Sequence, residues 1–205
     1  MIYGWIRSCK FCGARLCAAA AILFAVAVAP HAVCAQQEAP VHPDSIATPG
    51  MAPKGVANVQ WYVSREPVPR NSDFAIAVVV EIPAAYHMNA HKVSDEFLIP
   101  TTLAADLPAG IHQVDTTYPP GKVQKFAFSP APLNVYQGKV TILMKLRAAA
   151  DAKTGSSEFP LTLHYQACNE STCFPPVRVP LRVSVELADA GAPSRATHPE
   201  IFARQ

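Results

Sequence analysis

The chain has 205 residues, 50% hydrophobic and 16% charged, with a formal net charge of +2. That length accommodates one domain with a sizeable core, and twenty prolines, about twice the usual share, weigh against a helical bundle. So small a charge excess gives no basic groove for nucleic acid.

Residues 1–35 are laid out as an export signal. Arg7, Lys10 and Arg15 precede the apolar run Leu16 to Ala29, and Val33-Cys34-Ala35 supplies small residues for a cut before Gln36. The run has 14 residues, short of the roughly 20 that span a bilayer, so cleavage is expected and the mature chain has no membrane span. An uncleaved anchor and lipidation at Cys34 are the alternatives. Removing the segment leaves a formal charge of −1, from 14 basic and 15 acidic residues against the full chain's 17 and 15. Cys9, Cys12, Cys17 and Cys34 leave with it, so Cys168 and Cys173 are the mature cysteines, in a compartment where disulfides persist.

Residues 36–56 are rich in proline, alanine and small polar residues and read as a flexible leader; residues 189–205 read as a flexible tail. Between them, 57–188 form one domain. Strands are expected at Val59 to Val63, Phe74 to Ile82, Phe97 to Ile99, Val114 to Tyr118, Val123 to Phe128, Lys139 to Leu146, Phe159 to Tyr165 and Val177 to Leu187. Val140, Ile142, Met144 and Leu146 share one face, as do Val179, Leu181, Val183, Val185 and Leu187. Thr101 to Asp106 is a short helical candidate. Seven or eight short strands between turns predict an all-β fold, a β-sandwich with a small barrel as the competing architecture.

Cys168-Asn169-Glu170-Ser171-Thr172-Cys173 follows the strand LTLHYQ and precedes Pro175-Pro176. Four intervening residues let the cysteines face each other across a hairpin mouth. Three readings stay open. A structural clip over so short a loop removes only about 2 kcal/mol of unfolded-state entropy. A redox pair cycles through a mixed disulfide. A soft-metal site for copper(I) could draw on His87, Met88, His91, His164 and the thiols. Nucleotide-loop, zinc-protease and serine-nucleophile motifs are absent from the sequence, and no cofactor is expected.

The segment Tyr165 to Pro176, YQACNESTCFPP, resembles the cysteine-bearing segment of the DsbD amino-terminal periplasmic domain family. Tyr86-His87-Met88-Asn89-Ala90, the run Asp95 to Thr101, Tyr118-Pro119-Pro120-Gly121 and Val135-Tyr136-Gln137-Gly138 extend the similarity across roughly residues 57–188. The resemblance implies an immunoglobulin-like β-sandwich of about seven to nine short strands, located in the periplasm. It implies electron relay, with Cys173 forming the mixed disulfide and Cys168 resolving it. The implied donor is a membrane-embedded thiol reductase; the implied acceptors are thioredoxin-like or disulfide isomerase proteins, including those of cytochrome c maturation. An aromatic-bearing cap loop is implied over the pair, with Tyr118, Phe126, Phe128 and Tyr136 as candidates. Tyr86, His87, His164, Tyr165 and Phe174 are the other candidates for lining the site. Apolar cover of this kind disfavours a thiolate and slows random exchange.

Family proteins continue into a multi-span membrane domain and a thioredoxin-like domain, whereas this sequence ends at Gln205. A separately encoded reductase is therefore expected if the chain relays electrons, with protein-disulfide reductase chemistry as its activity. The alternative is a non-enzymatic immunoglobulin-like module for binding or copper handling, with a structural disulfide.

Overall fold

The computed structural model describes residues 56–203. The expected export signal and the leader up to residue 55 lie outside the described residues.

Fourteen strands and one short helix follow in chain order: β1 Asn58–Val63, β2 Arg65–Glu66, β3 Val68–Pro69, β4 Ser72–Ile82, β5 His87–Asn89, β6 Thr102–Ala105, β7 Ile111–Thr117, β8 Lys122–Gln124, β9 Leu133–Tyr136, β10 Gly138–Ala148, β11 Gly155–Tyr165, β12 Ala167–Cys168, β13 Val177–Ala188, β14 Arg195–Ala196 and α1 Pro199–Phe202. The architecture is all-β and sandwich-like. One sheet has the order β1-β4-β10-β7 and is antiparallel throughout. A second has the order β3-β13-β11-β6, with β3 the parallel edge strand.

The long strands form where β-branched and aliphatic residues recur at every second position, which puts one side of each strand against the partner sheet. Val140, Ile142, Met144 and Leu146 of β10 enter the core together with Val179, Leu181, Val183, Val185 and Leu187 of β13. Phe74, Ile76, Val78, Val80 and Ile82 of β4 join them, as do Phe159, Leu161, Leu163 and Tyr165 of β11. The central strand β4 also buries Ala77 and Val79 on its other face. Its sequence therefore reads as a continuous apolar run rather than an alternating one.

A third sheet, order β12-β5-β9-β8, carries the cysteines. Its strands continue those of the two main sheets. β5 follows β4 across 83–86, β8 follows β7 across 118–121, β9 runs into β10 through Gln137, and β12 continues β11 through Gln166. Gly138, at φ 65°, makes the change of sheet between β9 and β10 in a conformation that other residues adopt only with strain. At Gly121 the constraint is closeness: a Cβ there would fall on Asn134 Oδ1 and lie 2.7 Å from the Ala90 Cβ.

Several expectations need correcting. Thr101 to Asp106 is not helical; its central residues form β6, which pairs with the edge of β11 from Leu161 to His164. Phe97 to Ile99 is a turn rather than a strand, with Phe97 85% exposed. The strand expected at Val123 to Phe128 stops at Gln124, and Phe126 and Phe128 lie in the loop that follows. Fourteen strands replace the expected seven to nine because six are only two or three residues long and carry little sequence pattern. Residues 189–203, expected as a tail, run back along the domain. β14 pairs with β2, Ser194 Oγ donates to Pro67 O at 2.6 Å, and Thr197 Oγ1 donates to Val63 O.

Candidate functional site: the cysteine hairpin and the aromatic loop

Cys168 and Cys173 are joined as a disulfide, with their Cα atoms 3.9 Å apart. They close the neck of a hairpin whose tip is built by Asn169. The Asn169 side-chain oxygen accepts from the backbone N–H of Ser171 and of Thr172, both at 2.9 Å, and Asn169 N donates to Thr172 O at 2.9 Å. Asparagine is suited to this position because its short amide reproduces a backbone turn. Phe174 N donates to Ala167 O at 2.9 Å, which zips the hairpin below the disulfide.

The two sulfurs belong to residues in unequal surroundings. Cys168 is 0% exposed and pairs in register with His87 of β5. Cys173 is half-buried, on the arm that leaves the exposed tip Glu170, Ser171 and Thr172. A polar strap fixes both arms to β5. Asn89 donates from Nδ2 to Gln166 Oε1 at 3.1 Å, and Gln166 Nε2 donates to Phe174 O at 3.1 Å. Thr101 Oγ1 donates to Asn89 O at 2.6 Å, so the buried Asn89 ties the cysteine arm to the segment before β6.

The aromatic candidates separate into two groups. Phe126 and Phe128, on the loop between β8 and β9, turn toward β5. The Phe126 ring stacks on His87 at 3.9 Å between centroids, 16° from parallel, and Phe128 lies 6.2 Å from the same imidazole. Phe126 packs with Leu133 and Val135, flanked by Leu98 and Phe128, in a small cluster distinct from the sandwich core. Tyr86 meets Phe174 at 5.9 Å, beside the hairpin arm. Tyr118 and Tyr136 gather instead around His91. Tyr118 stacks on the His91 ring at 3.6 Å, and Tyr136 Oη donates to Pro119 O at 2.9 Å while accepting from His91 N at 3.2 Å. Burial raises the pKa of both tyrosines.

The last two candidates flank the strand that leads to Cys168. Tyr165 is a core residue of β11; its hydroxyl is buried without a partner, and burial pushes its pKa up to about 12. His164 stands on the opposite face of the strand, across from Arg178. Partial burial, then the Arg178 charge, lower its pKa. His87 is lowered too, by burial first and against a smaller raising effect of Glu170.

Among the described residues the histidines are not joined into a metal centre. His87 stacks on Phe126 and His91 on Tyr118, and among the described residues no group of three or more His, Cys, Asp and Glu side chains is placed to hold an ion. Among the described residues no helix is long and apolar enough to cross a membrane.

Sequence reasoning missed Asn89, Gln166 and Asn169, the three amides that fix the hairpin. Asn169 was readable as a turn former two residues before Ser171. The other two had no local signal, since their partners lie far along the chain.

Fold and site together define an all-β domain that presents a hairpin disulfide on a strand paired with β5, against which an aromatic loop stacks. The sequence profile of the family described as "Thiol:disulfide interchange protein DsbD, N-terminal" matches residues 60–183. The chain belongs to that family. No curated protein matches the chain. Among solved structures it is similar to the N-terminal periplasmic domain of ScsB from Proteus mirabilis, at a TM-score of 0.50 and 12% identity, covering 78% of this chain and 56% of that one. The likeness is one of fold, and the chain spans little more than half of that structure. The GAE domain of GGA2p from Saccharomyces cerevisiae aligns at a TM-score of 0.39 and 12% identity, over 68% of this chain and 96% of that one.

Proposed function

We propose that residues 57–188 are an immunoglobulin-like thiol–disulfide exchange domain that works in the periplasm, with Cys173 as the exchanging sulfur and Cys168 as the resolving one. The observation that carries this reading is the unequal burial of the pair: Cys168 is 0% exposed under β5, and Cys173 is half-buried beside an exposed tip. That difference favours attack by an incoming thiolate at Cys173 over Cys168.

In the reducing half-cycle a donor thiolate attacks Cys173 Sγ, the bond to Cys168 breaks, and Cys168 leaves with the electron pair and is protonated. A second donor thiol then displaces Cys173, which leaves the dithiol here and a disulfide on the donor. In the oxidising half-cycle the Cys173 thiolate attacks an acceptor disulfide. Cys168 then attacks Cys173, restores the disulfide and releases the acceptor as a dithiol. A membrane-embedded thiol reductase is the donor in this reading, and thioredoxin-like or disulfide isomerase proteins are the acceptors. The family membership supports this pairing of roles.

Trapping tests the assignment. A Cys168→Ala chain keeps the attacking sulfur without the resolving one and should accumulate mixed disulfides with a thioredoxin-like protein. Cys173→Ala should accumulate far fewer. Equal trapping by both variants, or none by either, contradicts the proposal.

A further inference from the structure

The exchange cycle requires a buried thiol, Cys168, to give up its proton before it can attack Cys173, and the strand pairing sets a histidine opposite it. Cys168 and His87 are directly opposite in the β12–β5 pairing. Opposed residues of an antiparallel pair project to the same face with Cβ atoms about 4.5–5.5 Å apart. His87 is 1% exposed, and its Nε2 is buried without a hydrogen-bond partner. An orphaned buried nitrogen is uncommon in a folded chain. The stacked Phe126 fixes the ring plane.

We propose that His87 Nε2 is the base that takes the Cys168 proton in the resolving step, a role that rests on the exchange reading above. With a partner held on Cys173, the neutral imidazole accepts the Cys168 S–H proton. The sulfur attacks Cys173 Sγ, the bond between Cys173 and the partner breaks, and the partner leaves as a thiolate that takes up a proton from solvent as His87 loses its own. The surroundings favour a neutral ring: the β8–β9 loop presents the apolar faces of Phe126 and Phe128, and Met88 next to it on β5 is buried. Glu170, from the hairpin tip, is the charge that acts in the other direction.

The test follows the reduced domain reacting with dithiobis(nitrobenzoate), which releases one coloured thiolate when Cys173 attacks and a second when Cys168 resolves. In the wild type the second release should be independent of pH near neutrality and slow as pH falls and His87 protonates. In His87→Gln it should be slower at neutral pH by roughly 10²-fold, the usual scale of base catalysis. It should also rise about tenfold per pH unit, following the thiolate fraction. A variant that keeps the wild-type rate and flat profile overturns the role while leaving exchange intact. A wild-type dithiol that releases no coloured thiolate removes the exchange reading and this role with it. Should the variant not fold, the nitrogen resonances of His87 in the wild type decide: Nε2 should shift between disulfide and dithiol forms, and an unchanged resonance overturns the role.

Discussion

Replacing Phe126 with alanine removes the ring between the β8–β9 loop and His87. That ring is 2% exposed, stacks on the imidazole at 3.9 Å, and packs with Leu133 and Val135 in a cluster separate from the sandwich core. Truncating a buried phenylalanine costs about 3–5 kcal/mol. Because the cluster is separate, the loss falls mainly on closure of the loop rather than on global unfolding. At about 1.36 kcal/mol per factor of ten, even the lower figure raises loop opening by roughly 10²-fold. Hydrogen exchange of the loop amides at 125–129 and 131, measured beside the rate at which dithiothreitol reduces the disulfide, checks the reasoning. Both should accelerate in Phe126→Ala, while amides in β10 and β13 stay protected. If the loop amides accelerate and the reduction rate does not change, the loop does not shield the pair and the argument fails.

Removing the disulfide by Cys168→Ser with Cys173→Ser should lower stability by only about 2 kcal/mol in chemical denaturation, the entropy of closing so short a loop; loss of folding would mark a structural clip. Asn169→Ala deletes the acceptor for two backbone N–H groups and should destabilise the hairpin tip by about 1–2 kcal/mol, read as faster exchange at Ser171 and Thr172. His87 is held below its ordinary value of 6.5 in the folded chain, so the unfolded chain binds more protons in the window beneath that value. Its contribution is present at neutral pH and lost as pH falls through that window. The wild type should therefore lose more stability between neutral and mildly acid pH than His87→Gln, measured by urea unfolding at each pH; equal slopes would contradict the buried neutral ring.

The long strands were legible because burial on one face writes a two-residue period into the sequence. β10 and β13 carry that alternation, and β4 carries the continuous apolar run of a central strand. The third sheet was not legible. β5, β8 and β12 have two or three residues each, and His87-Met88-Asn89 owes its strand form to neighbours on both sides, Ala167 and Tyr136. The helical reading of Thr101 to Asp106 failed because the open edge of β11 offers hydrogen bonds that outweigh local propensity. The cysteine pair could be read from position alone. Choosing among four aromatic candidates could not, because the split depends on contacts across the fold. The Tyr136 hydroxyl is tied to Pro119, and the Tyr118 hydroxyl accepts from Leu103 N at 2.8 Å, which commits both rings to the His91 side. Phe126 and Phe128 carry no hydroxyl to commit them there.

The reduction potential of the Cys168–Cys173 pair, set by equilibration against glutathione buffers, tests the central claim most directly. An exchange domain should have a potential above about −300 mV and pass electrons to a thioredoxin-like protein. A potential below that value, with no exchange, would mean that the disulfide is a structural clip.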